Sequence, residues 1–376
     1  MANSFNNNLA DAQGTHVTPV SPDKFDYDAY VLYEAGLLEQ NRHFWESNSG
    51  VAVYRRFRVP ECFSGMCRDK EASLAHQLGA LQASMDYKAD IANFLEPWYG
   101  IGTLASSFGI DYIWPDQQAP VVPHAFASVQ EVLKKDPIPV DQTTIGRHTL
   151  EMIEYFLEST RGRVPISLTD TQSPLNALSF LIDTNAFYMS FIDAPDALAE
   201  MLDRLVPLQI NFVNKQLDII GDAIAWPGHG FASTRAFNGL GMSDDIMTLL
   251  SPKQYAEFGI PSLMQCGESF GGSVVHSCGK WTDKLTIIKE ISNLVMVDGA
   301  FTGQTDPAPN DSISFTKAFC NSGVVLNARM VGNTETILKT VKALWQPGMK
   351  LIVVTYCNTP QEQAEVYEKI HEICQT

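Results

Sequence analysis

Ser273-Val274-Val275-His276-Ser277-Cys278-Gly279 is the stretch on which the reading of this chain turns. An apolar run at 273–276 stops at an imidazole, a thiol and a glycine. It is short and β-branched, so it reads as a buried strand and not as a helix. A helical stretch at 252–270 precedes it, opened by Ser251-Pro252, a hydroxyl cap followed by proline in the first turn. Another helical stretch, 282–291, follows.

The same alternation extends in both directions. Strands are expected at 164–169, 222–226, 294–297 (ending at Asp298), 324–327 and 351–355, and helices at 196–220, 312–321, 334–345 and 360–374. Helix 196–220 shows the 3.6-residue spacing in Leu198, Met201, Leu202, Leu205, Leu208 and Phe212, and Gly323 ends helix 312–321. Apolar runs without polar alternation suit parallel strands covered on both faces. Repeated crossovers leave a doubly wound open sheet or a closed barrel. Two further strands are available in the first half: 90–95, behind a helical stretch at 71–87, and either 51–57 or 111–114. The expectation is an α/β chain forming a (β/α)₈ TIM barrel with an N-terminal helical arm. Residues 26–376 form one domain and 1–25 an extended or disordered tail.

The polar residues favour the barrel. Asp170, His229, His276, Cys278, Asp298, Asn327, Arg329 and Cys357 all fall at or just past C-terminal strand ends. In a barrel these loops form one mouth, where active sites gather. No Gly-x-Gly-x-x-Gly and no P-loop is present, so a nucleotide-binding open sheet lacks its signature.

The net charge of −17 disfavours nucleic acid and anionic membrane as partners, and no run approaches the length of a membrane span. The polar start lacks the apolar core of a signal peptide, so a cytoplasmic protein is expected. The seven cysteines are irregularly spaced, which reads as free thiols or metal ligands and not as disulfides. The sequence leaves the oligomeric state, monomer or homodimer, open.

One imidazole (His276) and two thiols (Cys278 and Cys357) at strand ends are a ligand set that suits zinc, with the fourth position open. The plain alternative for His276-x-Cys278 is a buried thiol beside a hydrogen-bonded histidine. Sulfur ligands favour alkylation of a bound thiol over hydrolysis. Asp244 and Asp245 are read in a loop as a paired carboxylate that orients a ligand histidine, adds a metal ligand or acts as an acid–base group. The alternative there is a helix start capped by Ser243. Asp298 joins them as a catalytic candidate. Arg329 and Asn327 face the same rim, and Arg329 either binds a substrate carboxylate or sulfonate or forms a structural ion pair. Glu96 can reach the mouth from strand 90–95. Trp98 and Tyr99 either wall a flat ligand or pack in the core.

Ser243-Asp244-Asp245, Leu250-Ser251-Pro252-Lys253-Gln254-Tyr255-Ala256-Glu257-Phe258, Pro261 and His276-Ser277-Cys278-Gly279 together resemble the uroporphyrinogen decarboxylase superfamily. That superfamily has a (β/α)₈ barrel and includes cobamide-dependent methyltransferases. The resemblance runs from about residue 90 to the C-terminus and is densest over 223–279. Ser173-Pro174-Leu175 is a weaker echo of the family's glycine-proline turn. The methyltransferase branch carries a His-x-Cys motif and a distant cysteine, matched at His276, Cys278 and Cys357. There zinc activates a thiol, which takes a methyl group from a corrinoid. The decarboxylase branch is metal-free and has an arginine-rich N-terminal signature, which Arg55, Arg56 and Arg58 do not reproduce. Its tetrapyrrole-binding aspartate is best matched by Glu96. Leu326-Asn327 stands where the family often has Gly-Asn. The resemblance therefore implies a zinc-dependent methyltransferase acting on a small thiol such as coenzyme M or homocysteine, with a corrinoid as methyl donor and a corrinoid protein as a candidate partner. The alternatives are a metal-free decarboxylase-like lyase and a non-catalytic barrel that binds a corrinoid or tetrapyrrole.

Overall fold

The computed structural model describes residues 14–116 and 118–375. Six parallel strands form the main sheet in the order β1(Gly50–Arg55)-β8(Lys350–Thr355)-β7(Val325–Met330)-β6(Leu294–Ala300)-β5(Ser273–His276)-β4(Leu240–Ser243). A second parallel pair joins β2(Ile166–Ser167) to β3(Ile224–Ala225). Backbone bonds close the ring between the two sheets. Asp90 N donates to Val53 O at 2.8 Å, Leu95 N to Pro165 O at 2.9 Å, Ser167 N to Leu95 O at 2.9 Å, and Gly241 N to Pro227 O at 2.9 Å. The result is the expected β/α barrel. Every residue of β7 and β8 is buried, as parallel strands covered on both faces require.

Within this frame several elements differ from the sequence reading. The strand from the first half is Gly50–Arg55, paired with β8; residues 111–114 contribute only the Ile113↔Val121 bridge in a loop. Segment 90–95 joins through single bonds instead of a regular ladder. Leu240–Ser243 is a strand, although Ser243 reads as loop or cap in the sequence, because Gly239 and Gly241 dilute the apolar run that would mark it. The helical turn that follows, Asp245–Leu249, has no side-chain cap, so the capping alternative for Ser243 fails. Expected helix 282–291 is two short turns, Thr282–Lys284 and Leu285–Ile288.

Helix 252–270 begins where expected. Ser251 and Gln254 form a reciprocal capping box, with Pro252 at the first position. It then widens into a π turn at Tyr255–Gly259 before continuing as Ile260–Glu268. Pro261 has no N–H to give to the carbonyl four residues back, which accounts for the local widening. This helix lies so close to β5 that a Cβ on Gly267 would sit 2.1 Å from Ser273 Oγ.

Of the expected tail, residues 1–13 lie outside the described residues. Residues 14–25 run along the barrel: Thr15 N bonds Arg58 O and Val20 N bonds Ala75 O, each at 2.8 Å, and Phe25 is buried. No described helix is long and apolar enough to cross a membrane.

Candidate functional site

Sheet register builds the centre of the site. His276 pairs with Asp298, Asp298 with Asn327, and Ala300 with Arg329. Residues scattered over the sequence therefore sit in adjoining positions on β5, β6 and β7. The C-terminal ends of these strands open into a cavity of about 460 Å³. Arg56, Arg58, Asp170, His229, Asp245, His276, Cys278 and Arg329 are among the residues that line it.

His276 Nδ1 lies 2.6 Å from Asp298 Oδ2. Asp298 is fully buried and also receives Arg329 Nε at 2.9 Å and the Asn327 amide. Burial alone would raise the Asp298 carboxyl, but Arg329 and then His276 outweigh it and hold its pKa at about 2. Burial likewise opposes the His276 imidazolium, but Asp298 and then Cys278 overcome it and carry that pKa up to about 10. With Nδ1 committed to Asp298, Nε2 points at Cys278 Sγ, 3.4 Å away. Asp245 completes the group: its Oδ1 accepts from Cys278 N at 2.7 Å and lies 3.9 Å from His276 Nε2.

The ligand atoms of Asp245, His276 and Cys278 all lie within 4.8 Å of one another. One nitrogen, one sulfur and one carboxylate oxygen are a donor set that fits a zinc ion with a fourth position open. The carboxylate behind the imidazole is the outer partner that zinc-binding histidines commonly have.

Cys357 is not brought into this group. It is buried in the hydrophobic core, where desolvation pushes its thiol pKa up to about 12. The reason is topological: β8 is separated from β5 by β6 and β7, and Arg55 Nε holds the chain just past β8 by bonding Cys357 O at 2.7 Å. Among the described residues, the ligand atoms that converge are therefore those of Asp245, His276 and Cys278, and Cys357 is not among them.

The remaining candidates divide. Asp244 is fully buried behind the mouth and accepts from Tyr255 Oη at 2.8 Å. Desolvation lifts its carboxyl to about 7. Asn327 is buried between Asp298 and Ala232 N, so it braces the site and does not face the cavity. The Arg329 guanidinium is engaged by Asp298 and by Ser277 O at 3.3 Å. Of the two readings of Arg329, the structural ion pair is the one formed, although the residue also borders the cavity. Tyr99 stacks on His148 with ring centroids 3.7 Å apart, away from the mouth. Trp98 donates Nε1 to Asp170 Oδ2 at 3.1 Å.

Glu96 anchors a second cluster on the same mouth. Its Oε2 lies 2.6 Å from His229 Nδ1 and 3.5 Å from Arg56, and it accepts from Gly230 N at 3.1 Å. Burial would raise Glu96, but Arg56 and His229 hold it at about 2. His229 Nε2 faces Asp170 Oδ2 at 3.6 Å. The loop carrying His229 is pinned by Ser233 Oγ, which bonds both Gly228 N (3.0 Å) and Gly228 O (2.6 Å). Asp170 and His229 are legible in sequence as rim residues, but nothing local joins either to Glu96. Arg58, also on the cavity, stacks over the Phe63 ring at 4.8 Å. Its guanidinium has no carboxylate partner among the described residues.

The model of the uroporphyrinogen decarboxylase (URO-D) family matches residues 49–366. In three dimensions the chain is similar to a methyltransferase from Methanosarcina mazei, with a TM-score of 0.54 and 16% sequence identity, over 73% of this chain and 78% of that one. At that identity the likeness concerns the fold. No curated protein is close enough in sequence to match.

Proposed function

Given that the chain belongs to the uroporphyrinogen decarboxylase family, we propose that it is a zinc-dependent methyltransferase passing a methyl group, from a corrinoid on a partner protein, to a small thiol. The carrying observation is the convergence of Cys278 Sγ and His276 Nε2 at 3.4 Å, with Asp245 beside them. Asp245, His276 and Cys278 would hold the metal. A bound zinc ion supplies Lewis acidity that favours the thiolate form of a substrate thiol at neutral pH.

The chain's own residues do the rest. Asp298 and Arg329 fix the imidazole ring and leave only Nε2 available. Asp245 fixes the Cys278 loop through its bond to the backbone N–H. Arg58, without a carboxylate partner, offers its guanidinium to a carboxylate or sulfonate at the far end of the acceptor. That role was expected of Arg329, which is already engaged by Asp298.

The experiment is elemental analysis of gently purified, zinc-reconstituted protein, paired with methyl transfer from methylcobalamin to 2-mercaptoethanesulfonate or homocysteine. Wild type and Cys357→Ser should hold stoichiometric zinc, whereas Cys278→Ser and His276→Ala should lose it together with transfer. A wild type without zinc, turning over porphyrinogen equally well as Cys278→Ser, would replace this reading with metal-free decarboxylation.

A further inference from the structure

Two histidines face this mouth, each with Nδ1 against a buried carboxylate, although only His276 Nδ1 meets its carboxylate in hydrogen-bond geometry. His276 has Nδ1 on Asp298 at 2.6 Å, and Arg329 backs that carboxylate at 2.9 Å. His229 has Nδ1 on Glu96 at 2.6 Å, and Arg56 backs that carboxylate at 3.5 Å. They also differ in what lies beyond Nε2. At His276 it is a thiol and a carboxylate that together make a ligand set. At His229 it is Asp170 Oδ2 at 3.6 Å and the open cavity. Asp170 is itself held by Trp98 Nε1 at 3.1 Å and Gln172 Nε2 at 2.7 Å.

His229 lacks a neighbouring thiol, so a similar placement serves a different end there. An imidazole with Nδ1 in ion-pair contact with a buried carboxylate and Nε2 facing a cavity is placed as a general base beside its positioning partner. We propose that His229 is the general base of this mouth, its Nε2 taking the proton of the incoming thiol, with Glu96 as its positioning residue. The proposal rests on the thiol-acceptor reading. The S–H bond breaks, its electron pair stays on sulfur, and the proton forms an N–H bond at Nε2. The imidazolium so formed lies between the carboxylates of Glu96 and Asp170, and its proton returns to solvent after methyl transfer. The other groups facing this imidazole are the Phe63 ring at 5.2 Å, over which Arg58 lies, and the Trp98 ring at 6.5 Å.

The test uses 2-mercaptoethanol, a neutral thiol, and two readouts besides turnover. In cobalt-substituted protein, the rise of the sulfur-to-cobalt absorption is followed by stopped flow. His229→Gln should bind cobalt normally but form the thiolate about 10²-fold more slowly, with added imidazole restoring part of the rate. Glu96→Gln should slow it less and move its pH profile. In ¹⁵N-histidine-labelled protein, with and without metal, thiol binding should convert His229 from imidazole to imidazolium. Wild-type rates in His229→Gln, or thiolate bound while His229 stays neutral, would overturn the proposal. Failure to take up cobalt would instead overturn the metal site, and the metal-free nitrogen spectra would still decide the case of His229.

Discussion

Asp298 Oδ2 and His276 Nδ1 lie 2.6 Å apart at paired positions of neighbouring strands. The contact settles which imidazole nitrogen faces the cavity, and so what the site can bind. Asp298→Asn should keep the fold but lower zinc affinity about 10–100-fold. Competition with a chromophoric chelator measures this, and unchanged affinity would remove Asp298 from the site.

Thiol reactivity should separate the two cysteines read together from sequence. Cys278 is exposed, whereas Cys357 is buried with its thiol pushed up to about 12. Iodoacetamide at pH 7.5 should label Cys278 well before Cys357, and zinc should protect Cys278 alone. Mass spectrometry of the peptides reads the order. Equal zinc protection of both would restore Cys357 to the ligand set.

Acid should destabilise the fold through Glu96 and Asp298. Both carboxyls are held at about 2, below their ordinary values of 4.5 and 3.8. A depressed carboxyl contributes stability that is complete above its unfolded pKa and is lost as pH falls through the folded one. Urea midpoints should therefore hold near pH 6 and fall between about pH 4.5 and 2. In Glu96→Gln the acid-induced drop should be smaller than in wild type.

Asp244 should act with the opposite sign. Burial lifts its carboxyl from 3.8 to about 7, so the folded state favours the protonated form. Its contribution is present below 3.8 and lost as pH rises through 7. Asp244→Asn should flatten stability between pH 4 and 7, as measured by urea unfolding at several pH values, while zinc binding stays intact. Loss of metal in this variant would bring Asp244 into the site after all.

Gly267→Ala should destabilise by about 1–3 kcal/mol. The new methyl would meet Ser273 Oγ at 2.1 Å and Ser273 N at 2.7 Å, and the backbone atom cannot rotate away. A thermal melt checks it; an unchanged midpoint would mean that the helix slides freely over β5.

The alternation of buried runs with helices from residue 164 onward, the Ser251-Pro252 helix start and the placing of polar residues at strand ends were all readable in the chain. Each depends on neighbours a few residues apart, which sequence spacing reports directly. The same spacing identified His276 with Cys278. Weak local signals misled it: the glycines beside β4 hid that strand, and single-bond pairing left segment 90–95 irregular.

Which distant residues meet was decided by tertiary structure alone. Sheet order and register set Asp298 beside His276 and left Cys357 three strands away. The loop after β4 carried Asp245 to within 4.8 Å of the thiol and the imidazole, and loops from opposite halves of the chain joined Glu96 to His229. Spacing along a chain constrains contacts only within an element; distances between elements follow from how the barrel closes.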